Sequence, residues 1–257
     1  MAIEKLEGVI LRVRPQGETS KILTAFTPRR GLVSLIAKGA RSPKSKFGGG
    51  LEVANRVQLV YYHRDTRDLQ ILSQVDILER FQRVQSGVGR LALAEACFEI
   101  LLRTESGQQA SGRLYNLLVQ ALRGLEKGEQ GLRNVFRSFV LHFLAESGVA
   151  PQLGSCRRCG RVEVPTRLQF DVEHGGYVCD QCAPESRTVV PAGGRTLEWA
   201  RWLGQISPEK AAVAISQRTA AELDRWLQLY LAYHFDTLQN LRSLVFLNGL
   251  GKVRGEG

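Results

Sequence analysis

The hydrophobic period of this chain changes near residue 86, and that change requires two kinds of architecture in one molecule. Ahead of it, LEGVILRV, SKILTAFT, LVSLIAKG, RVQLVYYH and LQILSQVDIL alternate as half-buried strands do. Beyond it, GRLALAEACFEILLRT, SGRLYNLLVQALRGLEKG and GLRNVFRSFVLHFLAESG carry apolar residues at helical spacing. Five strands within about 80 residues, joined by a PRRG turn, a Gly/Ser-rich loop at 37–50 and the break HRDTRD, have the rhythm of a small closed barrel. The oligonucleotide-binding (OB) type is the leading candidate. The predicted fold class is a multidomain α+β protein. An OB-type barrel spans 1–82, an α-helical bundle spans 83–150 and 191–250, a cysteine-bearing element is inserted at 151–190, and 251–257 is a disordered tail.

In the last part, TLEWARWLGQI reads as one helix. A longer one starts at Thr219, where T-A-A-E has the form of a capping box closed by Glu222, and continues through LDRWLQLYLAYHFDTLQNLRSL. Trp199, Trp202 and Trp226 are expected to complete the bundle core.

Four of the five cysteines form two pairs, Cys156-x-x-Cys159 and Cys179-x-x-Cys182, with 19 residues between them. Two residues between cysteines let a turn present both thiolates to one ion, and a hairpin brings up the second pair to complete a tetrahedron. The expected ligand is a structural Zn2+ held by Cys156, Cys159, Cys179 and Cys182. Four thiolates leave no open position, so the metal is not expected to be catalytic. Cys97 sits among Leu93, Phe98 and Leu101 and reads as a small buried hydrophobe.

The net charge is +10, and it is unevenly placed. Between residues 12 and 46 there are nine basic residues: Arg12, Arg14, Lys21, Arg29, Arg30, Lys38, Arg41, Lys44 and Lys46. Glu18 is the one acid among them, so these 35 residues carry +8. Concentrated on the barrel and its flexible loop, this charge reads as a contact for a phosphate backbone with little sequence preference. Phe26 and Phe47 are the aromatic candidates for base stacking, Phe26 being equally a core residue. No segment reaches the roughly 18 apolar residues of a membrane span, and no signal peptide is evident, so a cytoplasmic protein is expected.

Several of these stretches together resemble one family. G-E-T-S-K-I-L-T-A-F-T-P-R-R-G at 17–31, A-K-G-A-R-S-P-K-S-K-F-G-G at 37–49, LQILSQVDILERF and P-x-L-x-x-C-x-x-C-G at 151–160 are similar to the bacterial RecO family of recombination mediators. The resemblance implies a non-enzymatic, nucleoid-associated protein of DNA repair and homologous recombination. It further implies binding of single- and double-stranded DNA, annealing of complementary strands, and partnership with RecR. It implies a role in loading recombinase onto DNA coated by single-strand DNA-binding protein, whose acidic C-terminal tail docks on the helical domain. Arg137, in Arg137-Ser-Phe139, is the position that the family's R-x-F segment indicates for that contact, and Arg133 is the second.

Two other readings are a zinc-containing nucleic-acid-processing enzyme and a zinc-ribbon nucleic-acid-binding regulator. The enzyme needs a carboxylate cluster or an open metal, and Glu52, Asp65, Asp68 and Asp76 are scattered at strand ends and turns. No Walker A, H-E-x-x-H or nucleophile-elbow motif is present.

Overall fold

The computed structural model describes residues 2–105, 112–182 and 189–253, with backbone alone from residue 250. It divides into two compact units, Met1–Glu126 and Lys127–Gly257.

In the first unit, strands β1 (Ala2–Gln16), β2 (Ser20–Thr27), β3 (Gly31–Ala37), β4 (Arg56–His63) and β5 (Leu69–Glu79) close a barrel in the order β1-β2-β3-β5-β4. The long β1 closes it by pairing with β2 through one half and with β4 through the other. A bulge between Ile10 and Arg12 marks the change of partner, and Ile10 there exchanges backbone hydrogen bonds with Ala54 and Asn55. Strands β3 and β5 meet in parallel over Ser34–Ile36. Inward residues Leu6, Ile10, Leu23, Leu35, Leu59 and Tyr61 fill the interior.

Three helices follow: α1 (Gln82–Ser86), α2 (Val88–Thr104) and α3 (Gly112–Lys127). The division between the units differs from the expected one, because α2 and α3 fall with the barrel instead of with the later helices. The reason is that the barrel is apolar outside as well as inside. Val9 and Phe26 pair in register on its outer face and are fully buried, with the Phe26 ring 6.4 Å from that of Tyr115 in α3. Polar contacts fix the same packing. Arg56 of β4 bridges Glu7 of β1 at 2.8 Å and Glu79 of β5 at 3.2 Å. Arg123 of α3 binds Glu79 through two hydrogen bonds of 2.9 and 2.8 Å. Glu126 accepts from the backbone N–H groups of Arg83 and Val84, capping α1 from the far end of α3.

The second unit begins with α4 (Leu132–Glu146) and continues into a sheet of β6 (Gln152–Cys156), β7 (Arg167–Asp171), β8 (Gly176–Cys179) and β9 (Val189–Gly193). Its order is β6-β8-β7-β9, parallel between β6 and β8 and antiparallel elsewhere. Then come α5 (Gly194–Gln205), α6 (Gln217–His234) and α7 (Arg242–Val253). Trp226 of α6 is fully buried, its ring stacked on Phe170 of β7 at 4.1 Å. Trp199 and Trp202 are half-buried and meet edge to face at 5.2 Å, so of the three tryptophans only Trp226 is a sealed core residue.

Two local expectations are corrected. The cap of α6 is Ser216, whose Oγ accepts the Thr219 N–H at 3.2 Å, so Thr219 lies inside the first turn. Glu222 leaves its own helix end and accepts instead from Gly193 N (2.9 Å) and Thr196 Oγ1 (2.5 Å) at the start of α5. Of the expected tail, residues 251–253 end α7 and 254–257 lie outside the described residues.

Candidate functional site

The register of the barrel decides which of the nine basic residues stand together. Lys21 pairs with Ala37 and with Pro15, so the loop after β3 leaves the barrel beside the β1–β2 turn. Arg41 ties the two segments together: its backbone N–H donates to Thr19 O at 2.8 Å and its Nη1 to Gly17 O at 2.9 Å. Arg14, Lys21, Lys38, Arg41, Lys44 and Lys46 therefore share one end of the barrel, with all but Lys21 exposed and Glu18 the one acid within the stretch. Arg12 pairs with Thr24 midway along the strands and lies near Glu95 of α2. Burial pushes the Glu95 carboxyl up, and Arg12 offsets part of that rise.

Arg29 and Arg30 are at the opposite end. Strand β3 separates them from the loop by seven residues, about 23 Å of extended chain. Arg30 is also engaged with Glu4 at 2.5 Å. The contiguous run seen in sequence thus becomes one strongly basic end and one remote pair.

Both aromatic candidates for stacking are core residues. Phe26 is fully buried beneath Tyr115, and Phe47 is 5% exposed within the barrel cluster. Phe47 anchors the return of the loop, and Lys46 Nζ lies 5.4 Å from its ring centroid. Asn55 holds the following turn, its Nδ2 donating to Gly49 O at 3.0 Å. The loop therefore has a fixed apolar foot and a projecting cationic tip. It can follow phosphates, but neither Phe26 nor Phe47 offers a ring to bases.

The four paired cysteines converge in the second unit. Their sulfurs all lie within 4.8 Å of one another, and Cys159 and Cys179 are 3.8 Å apart. Tetrahedral zinc with bonds of about 2.3 Å sets its sulfurs about 3.8 Å apart, so the set fits that ion. The surroundings favour thiolate at Cys156. Burial opposes ionisation of Cys156, but backbone N–H groups from Cys159, Cys179 and Arg158 outweigh it and bring the thiol down to about 6. Cys182, facing Cys179 and Cys159, is pushed up to about 12, as expected of thiols crowded together around one point. Bound there, zinc would supply a cross-link between the β6 end, the β8 end and the turns beyond them. His174 is bound to Asp171 at 3.0 Å and is not part of the quartet. Cys97 is fully buried, and burial pushes its thiol far up, as expected of a packing residue.

Arg133 and Arg137 are both on α4 and both meet Asp224 of α6, at 3.0 and 2.8 Å. Arg137 is 3% exposed and otherwise committed to Asn134 Oδ1 (2.6 Å) and Ala220 O (3.2 Å). Arg133 is the more accessible, and its Nη2 also reaches Asn248 of α7 at 2.8 Å. Beside them is a cavity of about 180 Å3 lined by Phe136, Leu227, Leu231, Leu241 and Leu244. Its α7 wall exists because the one long helix expected from Thr219 is broken: α6 ends at His234, and α7 starts anew at Arg242.

The acids considered for catalysis remain dispersed. Glu52, Asp65, Asp68 and Asp76 are exposed, with Asp65 on His63 at 2.9 Å and Asp76 on Gln74 at 2.9–3.1 Å. Among the described residues, the cysteine quartet is the one group of three or more side chains placed to share a metal. No described helix is long and apolar enough to cross a membrane.

A closed five-stranded barrel with one cationic end, followed by helices around a four-cysteine sheet, defines a basic protein of two units. The family described as Recombination protein O N terminal matches residues 1–81, and Recombination protein O C terminal matches residues 86–244. Relatives each called DNA repair protein RecO include one from Rubrobacter xylanophilus, 37% identical over 205 residues (78% of this chain and 82% of that protein). Another, from Anaeromyxobacter dehalogenans strain 2CP-C, is 31% identical over 255 residues, 98% of each chain. A third, from Symbiobacterium thermophilum, is 29% identical over 257 residues, 99% of this chain and all of its own. The chain belongs to the RecO family, and with it to the proteins of DNA repair and recombination.

Proposed function

We propose that this protein is a recombination mediator without catalytic activity, which binds DNA through the loop end of an OB-type barrel and anneals complementary single strands. The observation that carries this reading is the joining of the β1–β2 turn to the 38–46 loop by Arg41, which collects six basic side chains at one end of the barrel. The strand order β1-β2-β3-β5-β4 is that of OB barrels, whose loops close over single strands. Cationic side chains without stacking rings bind backbone and ignore sequence, which suits a protein that must accept any two complementary strands.

The partners belong to the same proposal. RecR is the expected co-mediator. The acidic C-terminal tail of single-strand DNA-binding protein would place an apolar residue in the leucine-lined cavity and a carboxylate near Arg133. Arg137 would hold the wall in place, since its guanidinium is spent on Asp224 and Asn134. Zinc at the cysteine quartet is structural. The protein acts in the cytoplasm, on the nucleoid.

Annealing of two complementary labelled strands tests the proposal. The protein should accelerate it with no cofactor and no cleavage, and Lys38→Ala, Arg41→Ala, Lys44→Ala and Lys46→Ala together should remove most of the acceleration. Magnesium-dependent cleavage by the pure protein, lost on changing Asp65, Asp68 or Asp76, would favour the enzymatic reading. Absence of any acceleration would remove annealing from the account.

A further inference from the structure

The second unit has a cleft of about 670 Å3 whose lining includes Arg167 of β7, Arg195 of α5 and Arg218 of α6. The three arginines come from separate elements, so no single helix face or charge run in sequence explains why one cleft has all three in its lining. All three are exposed. Arg218 is paired with Glu222 at 3.0 Å, whereas Arg167 and Arg195 have no carboxylate partner among the described residues. Glu222 is already engaged with the start of α5, which leaves Glu198 as the uncommitted acid of the lining.

The cleft is also built rigidly. Gly194 N donates to Thr166 O at 3.1 Å, and a Cβ on Gly194 would stand 2.3 Å from Pro165 O, so one wall is locked against the beginning of α5. That wall runs directly into Arg167, next to Leu168, which pairs with Cys179. Cys179 of the quartet therefore lies on the strand beside that wall.

We propose that this cleft is a second nucleic-acid contact, in which Arg167 and Arg195 bind phosphates of a DNA strand. Guanidinium groups bind phosphate oxygens through paired N–H donors, and a polar cleft without a large apolar anchor suits a backbone better than a peptide. The inference rests on the reading of the protein as a DNA binder and adds a site that the barrel does not contain.

Anisotropy of a labelled random-sequence single strand, measured against salt concentration, tests it. In Arg167→Ala/Arg195→Ala the log–log slope should fall by about 1.4, at about 0.7 per lost phosphate contact. Zinc content and melting temperature should be unchanged, Arg167→Lys/Arg195→Lys should restore most of the slope, and Glu198→Gln should tighten binding. Arg167→Gln/Arg195→Gln, which keeps more of the side chain, should behave like the alanine pair. An unchanged slope in both neutral pairs, while neutralising the barrel loop still lowers it, would overturn the cleft and leave the barrel reading intact. If neither the cleft nor the loop variants change binding, the DNA-binding reading itself fails. Binding of a poly-glutamate peptide that the alanine pair abolishes, with DNA binding unaffected, would also overturn the proposal.

Discussion

Tyr115 of α3 donates a 2.7 Å hydrogen bond to Glu7 of β1, a residue 108 positions earlier in the chain. Glu7 is held at the same time by Arg56, which also reaches Glu79, and Glu79 is held by Arg123 of α3. Two carboxylates and two guanidiniums thus join barrel and helix. Burial alone would raise the Glu7 carboxyl, but the Arg56 and Tyr115 hydrogen bonds outweigh it and hold it below its ordinary value. The Arg123 hydrogen bond does the same for Glu79 against the opposing effect of burial. Both carboxyls being lowered, their contribution is complete at neutral pH and begins to fall as the pH drops past their ordinary value of 4.5. It is gone below the folded-state values. Urea unfolding followed between neutral and acid pH should therefore show stability declining through the carboxylate range. Arg123→Ala should cost about 1–2 kcal/mol at neutral pH and flatten that decline. A decline identical in wild type and variant would contradict the network.

Phe47 tests the distinction between a base-stacking ring and a loop anchor. A buried phenylalanine replaced by alanine costs about 3–5 kcal/mol. Phe47→Ala should lower stability on that scale, whereas Phe47→Leu should lose less and retain DNA affinity. Loss of affinity in the leucine variant at unchanged stability would return Phe47 to the binding surface.

Arg133 and Arg137 should separate in the same way. Removing Arg137 leaves Asn134 Oδ1 without its donor and Asp224 with Arg133 alone, and losing these charge-assisted hydrogen bonds costs about 1.5–3 kcal/mol. Arg133→Ala should unfold close to wild type while weakening capture of an acidic tail peptide with an apolar end, read by anisotropy of that peptide. An Arg133 variant that binds the peptide normally would move the docking site away from the cavity.

Metal content gives a direct check of the cysteine site. The purified protein should hold about one zinc per chain, and Cys179→Ser should lose it. Because a site assembled by folding returns its binding energy as stability, stripping the metal with a strong chelator should lower the melting temperature. Full stability of a metal-free protein would show that the four thiols need no ion.

The strands were legible because alternation is a direct consequence of a sheet with one dry face. What the alternation hid is that Val9, Ile10 and Leu11 run together, the mark of a strand covered on both faces, and that run foretells helices packed outside the barrel. The cysteine quartet was legible from spacing alone. The sheet around it was not, because β6 to β9 are four or five residues each and too short to show a period. Arg29 and Arg30 looked contiguous with the loop because sequence distance ignores the length of β3. At α6, both Ser216 and Thr219 had cap chemistry. Only the path of the chain shows that Ser216 caps, which frees Glu222 to reach α5.

The central claim is that DNA meets the loop end of the barrel and not its whole basic stretch. The salt dependence of single-strand binding, compared between the two ends, tests this most directly. Alanine at Lys38, Arg41, Lys44 and Lys46 should lower the log–log slope by about 3, at about 0.7 per contact, while Arg29→Ala with Arg30→Ala should leave it nearly unchanged. An undiminished slope in the loop variant, or an equal loss from the Arg29 and Arg30 pair, would contradict the account.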